Sequence, residues 1–365
     1  MITYSATWGN LGLKLPPRRF VQQELEMMVM AEELGFDAVW TPEHHFDANY
    51  AACPDNFLAL TYVAARTSTI KLGLGAIILP WNDPVRVVEK LAMLDHASDG
   101  RLLMGFGRGL AKMEYAGFGI DMGSSRERFD EAAEMVLEGI RTAVVQGDGP
   151  FYPQAPVDIH PAPDPTLAER LYSVGMTPDS ALAAADLGAT LLSFVTAPIE
   201  EMKPLIIDPY RERFQERHGR KPPPEVLVDF AYVHEDPEEA ARVGRQYAGR
   251  YYESVVSHYN FDGTHFAKTK GYEAYAEGAA AIRDAGLEAA TDAYVAPQAG
   301  IGTPEQVIEK FRHRREVVGD TTVLACFLYG AMPYEMAESS VRLFSAEVMP
   351  ELRRMEAVAE PAAVG

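Results

Sequence analysis

Hydrophobic residues follow two alternating patterns along this chain. Short runs rich in β-branched and aromatic residues, typical of strands, are separated by longer segments with apolar residues at helical spacing. The runs predict eight strands, at residues 2–8, 36–40, 70–79, 101–107, 170–175, 190–196, 226–234 and 322–329. The longer segments predict helices at residues 20–34, 56–66, 84–97, 126–146, 178–187, 199–218, 237–252, 303–318 and 334–354. Strands that alternate with helices form parallel sheets, so we assign the chain to the α/β class.

Eight strand–helix units favour a closed (β/α)8 TIM barrel, which usually takes about 250 residues plus insertions. A doubly wound open sheet is the alternative on pattern alone. We expect one domain over residues 1–356 and a disordered tail at 357–365. Two stretches, 147–164 and 257–302, do not fit the repeat. Insertions of this length in a compact fold are usually lids or disordered segments.

The chain is strongly acidic, and this limits its partners. It has 53 acidic and 33 basic side chains and a net charge of −20. Such a charge opposes binding to nucleic acids or anionic membranes, so we expect neither as a partner. Two cysteines give no disulfide framework or zinc knuckle. We see no signal peptide, and the longest apolar runs are too short to cross a bilayer, so we expect a cytoplasmic protein.

The run Glu43-His44-His45-Phe46 directly follows the second predicted strand. Active sites of barrels lie at this end of the strands. Neighbouring side chains of an extended segment point to opposite faces, so at most one histidine faces the pocket. A neutral histidine with a pKa near 6.5 is a good general base; a histidine satisfied by local hydrogen bonds is the alternative. Zinc needs three or four converging ligands, which no motif here supplies, so we expect no metal.

Two further segments offer sites for an anion. Gly105–Gly109 ends the fourth strand, but Leu110 stands where a dinucleotide-binding G-x-G-x-x-G motif needs its last glycine. What remains is a glycine-lined strand end with Arg108 as an anion or carbonyl partner, or else a tight turn with a surface arginine. After the fifth strand, Thr177 begins a helix with Pro178 in its first turn. Such a helix start binds phosphate, although ordinary N-capping explains the same residues.

Several motifs occur together in a fixed order. They are Phe36–Trp40 with Glu43–Phe46, Leu74–Pro80, Asp83–Arg86, Leu94–Arg101, Gly105–Gly109, Gly117–Gly119, Ser125-Arg126 and Gly302–Gln306. Taken together they resemble the bacterial luciferase-like flavin-dependent monooxygenases. The resemblance covers about residues 2–350 and is densest over 36–130.

The resemblance implies a (β/α)8 barrel, usually a homodimer, that takes reduced FMN from a separate flavin reductase. It implies that dioxygen adds to the reduced flavin, and that the resulting C4a-peroxyflavin inserts one oxygen atom into a small organic substrate. His44 corresponds to the catalytic histidine, and Gly75-Ala76 to a non-prolyl cis peptide against the flavin ring. The segment 257–302 takes the place of the mobile active-site loop. The implied cofactor-binding residues are Gly75, Ala76, Gly107, Arg108, Met176, Thr177 and Ser180.

The sequence also departs from the light-emitting subunit of luciferase. That subunit has a cysteine before the strand-four arginine, where this chain has Gly107, and Glu-Ser where this chain has Met176-Thr177. These differences argue against light emission. A related branch of the fold uses the deazaflavin F420 for hydride transfer and is the alternative function, although the Glu43–Phe46 run favours the monooxygenase. A flavin-binding protein without turnover is a third interpretation. The sequence does not identify the substrate.

Overall fold

Eight parallel strands close into a barrel at the centre of the protein. The computed structural model describes residues 1–9 and 15–359. The barrel strands are β1 (Ile2–Ser5), β2 (Ala38–Thr41), β3 (Lys71–Leu74), β4 (Leu102–Gly107), β5 (Leu171–Val174), β6 (Thr190–Phe194), β7 (Val226–Phe230) and β8 (Thr322–Cys326). Each strand pairs with the next, and β8 returns to pair with β1. The predicted closed barrel is confirmed, and the open sheet is excluded.

Helices connect the strands on the outside of the barrel. They are α1 (Pro17–Glu33), α2 (Asn56–Ala64), α3 (Pro84–Ala97), α4 (Lys112–Phe118), α5 (Ser125–Thr142), α6 (Pro178–Asp186), α7 (Ile199–Met202), α8 (Asp208–His218), α9 (Pro237–Tyr259), α10 (Tyr275–Ala285), α11 (Leu287–Val295), α12 (Pro304–Val318), α13 (Tyr334–Leu343) and α14 (Met349–Ala359). A π-helical turn joins α7 to α8, and another joins α13 to α14. Helix α14 extends into the predicted tail, whose residues 360–365 lie outside the described residues.

The barrel strands are buried on both faces, by the helices on the outside and by the packed interior of the barrel on the inside. Every residue of β2, β4, β7 and β8 is buried, which explains why the strands read as continuous apolar runs. The predicted strand 70–79 is interrupted, because a cis peptide joins Gly75 to Ala76 and the chain resumes pairing at Ile77–Ile78. The cis peptide expected from the resemblance is therefore confirmed. At Gly105, a Cβ atom would lie 2.1 Å from the Leu74 carbonyl oxygen, so only glycine allows this close approach.

The two insertions contain more regular structure than the sequence suggested. The predicted helix 126–146 ends at Thr142, and the β-branched pair after it starts an antiparallel hairpin of Val144–Gly147 with Gln154–Asp158. In the second insertion, residues 257–259 complete α9, and the alanine-rich stretch beyond forms α10 and α11. Alanine has the highest intrinsic helix propensity, so this segment is mainly helical where we had expected a loop. It ends in the short strand Ile301–Gly302, paired with Tyr232–Val233.

A search of the described helices for membrane spans finds none with the length and apolar character that crossing a bilayer requires.

Candidate active site

A cavity of about 670 Å³ opens at the carboxyl ends of the barrel strands. This is the end at which barrel enzymes build their active sites. Every residue that the sequence singled out as catalytic or cofactor-binding lines it. These are His44, Gly75, Ala76, Gly107, Arg108, Met176, Thr177 and Ser180. Residues from four different β/α units therefore meet in one place.

Bare backbone forms one wall of the cavity. At Gly107, an added Cβ atom would lie 2.8 Å from Ile78 Cδ1 and 3.2 Å from Ala76 Cβ. Beneath this wall lies the buried Trp40 indole, 3.2 Å from the position of a Cβ on Gly75. The Asn56 side chain donates a hydrogen bond of 3.0 Å to the Ala76 carbonyl and holds the backbone after Gly75 in place. A flat ligand can approach this wall closely at Gly75 and Gly107, because neither residue has a side chain.

Arg108 lies at the end of β4, beneath the segment 257–302. Its guanidinium carbon is 4.0 Å from the centre of the Tyr272 ring, and a Cβ atom on Gly271 would lie 2.8 Å from Arg108 Nη1. Among the side chains that the structure describes, those of residues 1–9 and 15–355, no carboxylate pairs with this guanidinium. Arg108 therefore offers a cation to a ligand in the cavity.

The start of α6 places backbone amides and two hydroxyls beside the same cavity. Thr177 and Ser180 form a capping box, in which the Ser180 hydroxyl accepts hydrogen bonds of 2.9 Å from the amides of Met176 and Thr177. The positive end of the helix dipole points in the same direction. The N-capping interpretation is confirmed. The same residues line the cavity, so the helix start also fits an anionic group there.

His44 and His45 point in different directions, as the extended segment predicts. His44 lines the cavity; its Nδ1 lies 3.1 Å from Glu114 Oε1, and its Nε2 lies 3.5 Å from the Tyr259 hydroxyl. His45 Nε2 instead contacts Glu43 Oε1 at 3.2 Å. With the Nδ1 proton donated to Glu114, His44 Nε2 carries a lone pair that faces the cavity. His44 is therefore the histidine in position for acid–base chemistry.

The buried Glu43 carboxylate ties the loop after β2 to the interrupted strand. It accepts hydrogen bonds from the Ile78 amide at 3.1 Å, Trp81 Nε1 at 2.7 Å and Asn82 Nδ2 at 2.9 Å. These bonds hold the loop that carries His44 against the glycine-lined wall.

Sequence reasoning missed two residues next to His44. Glu114, on α4, accepts a hydrogen bond of 2.7 Å from the His45 amide in addition to its contact with His44. His258, in the last turn of α9, lies with Nε2 3.6 Å from Glu114 Oε1 and Nδ1 3.1 Å from Asp47 Oδ2. Burial by itself raises the pKa of Glu114, but the nearby His258 ring, the contact with His44 and the hydrogen bond from the His45 amide outweigh it and lower the pKa to about 2.

His44, Glu114 and His258 each offer one potential metal-ligand atom, and these atoms lie within 4.8 Å of one another. Three such ligands are the minimum for a catalytic zinc site. In this structure the carboxylate oxygen already accepts the His45 amide, and both histidines are paired with carboxylates. The cluster therefore has the geometry of a hydrogen-bonded network, and the absence of a metal remains a prediction.

Aromatic and small residues form the wall opposite the glycines. Tyrosine hydroxyls meet there, with Tyr50 3.0 Å from Tyr259 and 3.4 Å from Tyr251. One face of α10 and one face of α11 add alanines to this wall. The residues of 251–294 that line the cavity carry no formal charge at neutral pH; they are Tyr251, Tyr252, Val255, Tyr259, Phe261, Tyr272, Ala274, Tyr275, Gly278, Ala279, Ala281, Ile282, Ala285, Ala289, Ala290, Ala293 and Tyr294.

Comparison with known proteins assigns the family. The sequence profile described as luciferase-like monooxygenase matches residues 4–321. This chain belongs to the luciferase-like monooxygenase family. It is 27% identical to the alkanal monooxygenase alpha chain of Photorhabdus laumondii over 362 residues, which cover 96% of this chain and 98% of that one. The expected family is thus confirmed.

Several solved structures have the same fold. The monooxygenase RslO1 from Streptomyces bottropensis superposes with a TM-score of 0.80 at 28% identity, covering 96% of this chain and all (100%) of that one. Two structures at 18% identity show the likeness of fold alone. One is a type II Baeyer–Villiger monooxygenase component from Pseudomonas putida in complex with FMN, with a TM-score of 0.75 and coverage of 96% and 98%. The other is an F420-dependent secondary alcohol dehydrogenase, with a TM-score of 0.70 and coverage of 97% and 99%.

Proposed function

We propose that this luciferase-like monooxygenase uses reduced FMN and dioxygen to insert one oxygen atom into a small organic substrate. The observation that carries the proposal is the convergence on one cavity of a glycine-lined wall, a cationic group with a helix start, and a histidine whose Nε2 faces the cavity. These features suit, in turn, a flat ring, a phosphate and a reaction that needs proton transfer.

The residues present fit a flavin mononucleotide. The backbone of Gly75, Ala76 and Gly107 would lie against the ring system. Arg108 and the start of α6, with Met176, Thr177 and Ser180, would hold the anionic end. When bound, reduced FMN supplies the electrons and the oxygen chemistry, and the protein supplies orientation and exclusion of water. The segment that carries Tyr272 covers Arg108 and contributes to that exclusion.

His44 is the acid–base residue of this proposal. The Nδ1–H of His44 donates a hydrogen bond to Glu114, which fixes the tautomer in which Nε2 accepts or returns a proton in the cavity. The Tyr259 hydroxyl lies 3.5 Å from Nε2, so that a polar group of the aromatic wall is next to the acid–base atom.

The wall formed by residues 251–294 indicates the substrate class. A charged substrate would lose its hydration there without gaining an ionic partner, and this loss costs several kcal/mol. We therefore infer a neutral, largely apolar substrate, held mainly by tyrosine rings and the alanine faces of α10 and α11. We further propose a transient flavin reductase as the source of reduced FMN, a homodimer and a cytoplasmic location.

Ligand titration tests the cofactor. The protein is titrated anaerobically with reduced FMN and, separately, with reduced F420, and air is then admitted. We expect reduced FMN to bind more tightly, and aerobic turnover with a reductase and NADH to yield oxygenated product. Preferential binding of F420, with oxidation of an alcohol on addition of the oxidised cofactor, would contradict the proposal in favour of the hydride-transfer alternative.

His44→Ala tests the chemistry. We expect oxygenation to fall by roughly 10²–10⁴-fold, the usual contribution of a positioned acid or base. Reduced-FMN affinity should change little, and hydrogen peroxide release should rise. His45→Ala should be milder, because His45 does not line the cavity and its ring contacts Glu43. The measurement is product formed per NADH consumed. Unchanged coupling in His44→Ala would remove His44 from the mechanism.

A further inference from the structure

Four titratable side chains form a row behind the cavity, in the order Asp47, His258, Glu114 and His44. Asp47 Oδ2 lies 3.1 Å from His258 Nδ1, His258 Nε2 lies 3.6 Å from Glu114 Oε1, and Glu114 Oε1 lies 3.1 Å from His44 Nδ1. The four residues come from the loop after β2, from α4 and from the end of α9. Tertiary structure alone brings them together.

The two inner members of the row are buried, and the two ends reach solvent. The side chain of His258 is 0% exposed and that of Glu114 1%, against 16% for Asp47 and 15% for His44. Within the described part of the chain, His258 Nε2 has no hydrogen-bond partner and points at the Glu114 carboxylate. A buried ionised group is tolerated only when opposite charges or hydrogen bonds compensate it.

Charges alternate along this row. Burial opposes a charge on His258, but the hydrogen bond with Asp47 and the Glu114 carboxylate 3.6 Å away outweigh it and raise the pKa of His258 above its usual 6.5. The hydrogen bond from His258 lowers the pKa of Asp47. The other groups that face the His258 ring are Tyr50, stacked at 4.4 Å, the neighbouring Tyr259, and His44, whose ring centre is 5.4 Å away. None of these three supplies a compensating negative charge at neutral pH.

We propose that His258 is a positioning residue for His44, acting through Glu114. The positive charge of the His258 imidazolium compensates the negative charge of Glu114. This buried carboxylate therefore stays ionised and accepts a hydrogen bond from the Nδ1–H of His44. His44 Nε2 is thereby directed into the cavity as the acid–base atom. The proposal rests on the function proposed above for His44.

The position of His258 also connects the covering segment to the acid–base residue. His258 and Tyr259 end α9, at the beginning of the segment 257–302 that forms the tyrosine and alanine wall. The end of α9 therefore supplies both the charge that faces Glu114 and the hydroxyl that lies next to His44 Nε2.

The first test is spectroscopic and needs neither cofactor nor substrate. The protein, labelled with ¹⁵N in its histidine side chains, is titrated by NMR. We expect the His258 ring to stay doubly protonated above pH 6.5, and His44 to be the Nδ1–H tautomer at pH 7. In His258→Gln, which keeps size and polarity but removes the charge, His44 should become a mixture of tautomers. The matched control is His313→Gln, since His313 also pairs with a glutamate, Glu200 at 2.6 Å, but lies exposed on α12.

A second variant guards against misfolding of His258→Gln. Asp47 lies outside the cavity lining, and Asp47→Asn weakens the protonation of His258 without altering any buried group. His258 should then lose its proton at a lower pH than in the wild type, and the His44 tautomer should change at that same lower pH. A His44 tautomer that stays the same in both variants overturns the proposal. So does a neutral His258 at pH 6.

The third test uses turnover. In His258→Gln we expect product formation to fall roughly 10- to 100-fold, as for other residues that orient a functional histidine through a hydrogen bond. KM and reduced-FMN affinity should stay nearly constant. The wild type should lose coupling as the pH rises through the pKa of His258, and the variant should lack this alkaline limb. A fall in FMN affinity that equals the fall in turnover would contradict the positioning role.

The NMR and turnover experiments distinguish the positioning role of His258 from the proposed oxygenation reaction. If the tautomer changes as expected but no oxygenation is found in any variant, the positioning role stands and the proposed reaction fails. If oxygenation depends on His44 but is indifferent to His258, the positioning role fails alone. Stoichiometric zinc that binds the wild type and is lost in both His44→Ala and His258→Gln would overturn the positioning role in favour of a metal site.

Discussion

Glu24 and Glu114 are both buried carboxylates, yet their surroundings drive them to opposite protonation states. Glu24 lies on α1, and neither oxygen has a hydrogen-bond partner among the described residues. Burial raises the pKa of Glu24 to about 8. Glu114 is just as inaccessible, but the histidines and the His45 amide lower its pKa to about 2. At neutral pH the Glu24 carboxyl is therefore mostly neutral, and the Glu114 carboxylate is an anion beside the cavity.

This contrast shows that burial alone does not determine charge in this protein. Desolvation penalises the charged form at both positions, and only converging donors reverse its effect. The groups that face Glu114 come from two separate parts of the chain, the loop after β2 and the end of α9, and at Glu24 the described chain has no such arrangement. A buried carboxylate with a lowered pKa beside a cavity is thus the better marker of a functional site.

The largest expected effect is on the pH dependence of stability at Glu24. Because its folded-state pKa is raised from 4.5 to about 8, its contribution is fully present below pH 4.5 and is lost as the pH rises through 8. This change in the pKa of Glu24 corresponds to at most about 5 kcal/mol in the free energy of unfolding. Glu24→Gln should therefore gain stability relative to the wild type between pH 5 and pH 9, as measured by urea denaturation. Equal pH dependence of the two proteins would mean that Glu24 is not buried as described.

Glu114→Gln should change the stability in the opposite direction and lower it. The substitution removes the counter-charge of His258 while it preserves shape, and breaking one side of a buried pair costs about 3–5 kcal/mol. We expect a loss of this size in the free energy of unfolding at pH 7, whereas Glu24→Gln should be neutral or stabilising there. Parallel urea titrations compare the two variants directly. Equal changes in the free energy of unfolding for Glu24→Gln and Glu114→Gln would contradict the contrast drawn between these two residues.

Glu32 sharpens the comparison, because its pKa is also lowered to about 2 while its carboxylate stays close to solvent. Slight burial opposes the charge, but the amides of Ser68, Thr69 and Ile70, at 2.6–2.9 Å, outweigh it. Solvent screening reduces the value of such contacts. Glu32→Gln should cost only about 1 kcal/mol at pH 7 by the same assay. A loss as large as that of Glu114→Gln would show that pKa, and not burial, sets the cost.

Much of the fold could be predicted because local signals and tertiary structure agree. Helix α3 runs over Pro84–Ala97 as predicted, since Asp83 caps it and Pro84 occupies its first position. All eight barrel strands were predicted, because burial on both faces makes them continuous apolar runs. The hairpin at 144–158 was missed because its partner-facing residues are few and partly exposed.

The candidate site was predictable only where its residues follow strands. His44, Arg108 and Thr177 each come shortly after a barrel strand, so the topology alone places them at one end of the barrel. Glu114 and His258 sit within helices, where a glutamate and a histidine are ordinary residues. Their separation of 144 positions carries no local signal, and only the packing of α4 against the end of α9 joins them.

Barrel closure has a consequence for the order of synthesis. Strand β1 is the first to be made, but its partner β8 follows more than 300 positions later, as the bond between Thr3 and Val323 shows, with a separation of 320 residues. Until then, one edge of β1 has no strand to pair with, and unpaired edges promote association between chains. A nascent chain of this protein must therefore keep that edge covered throughout almost its entire translation, either by its own helices or by a chaperone.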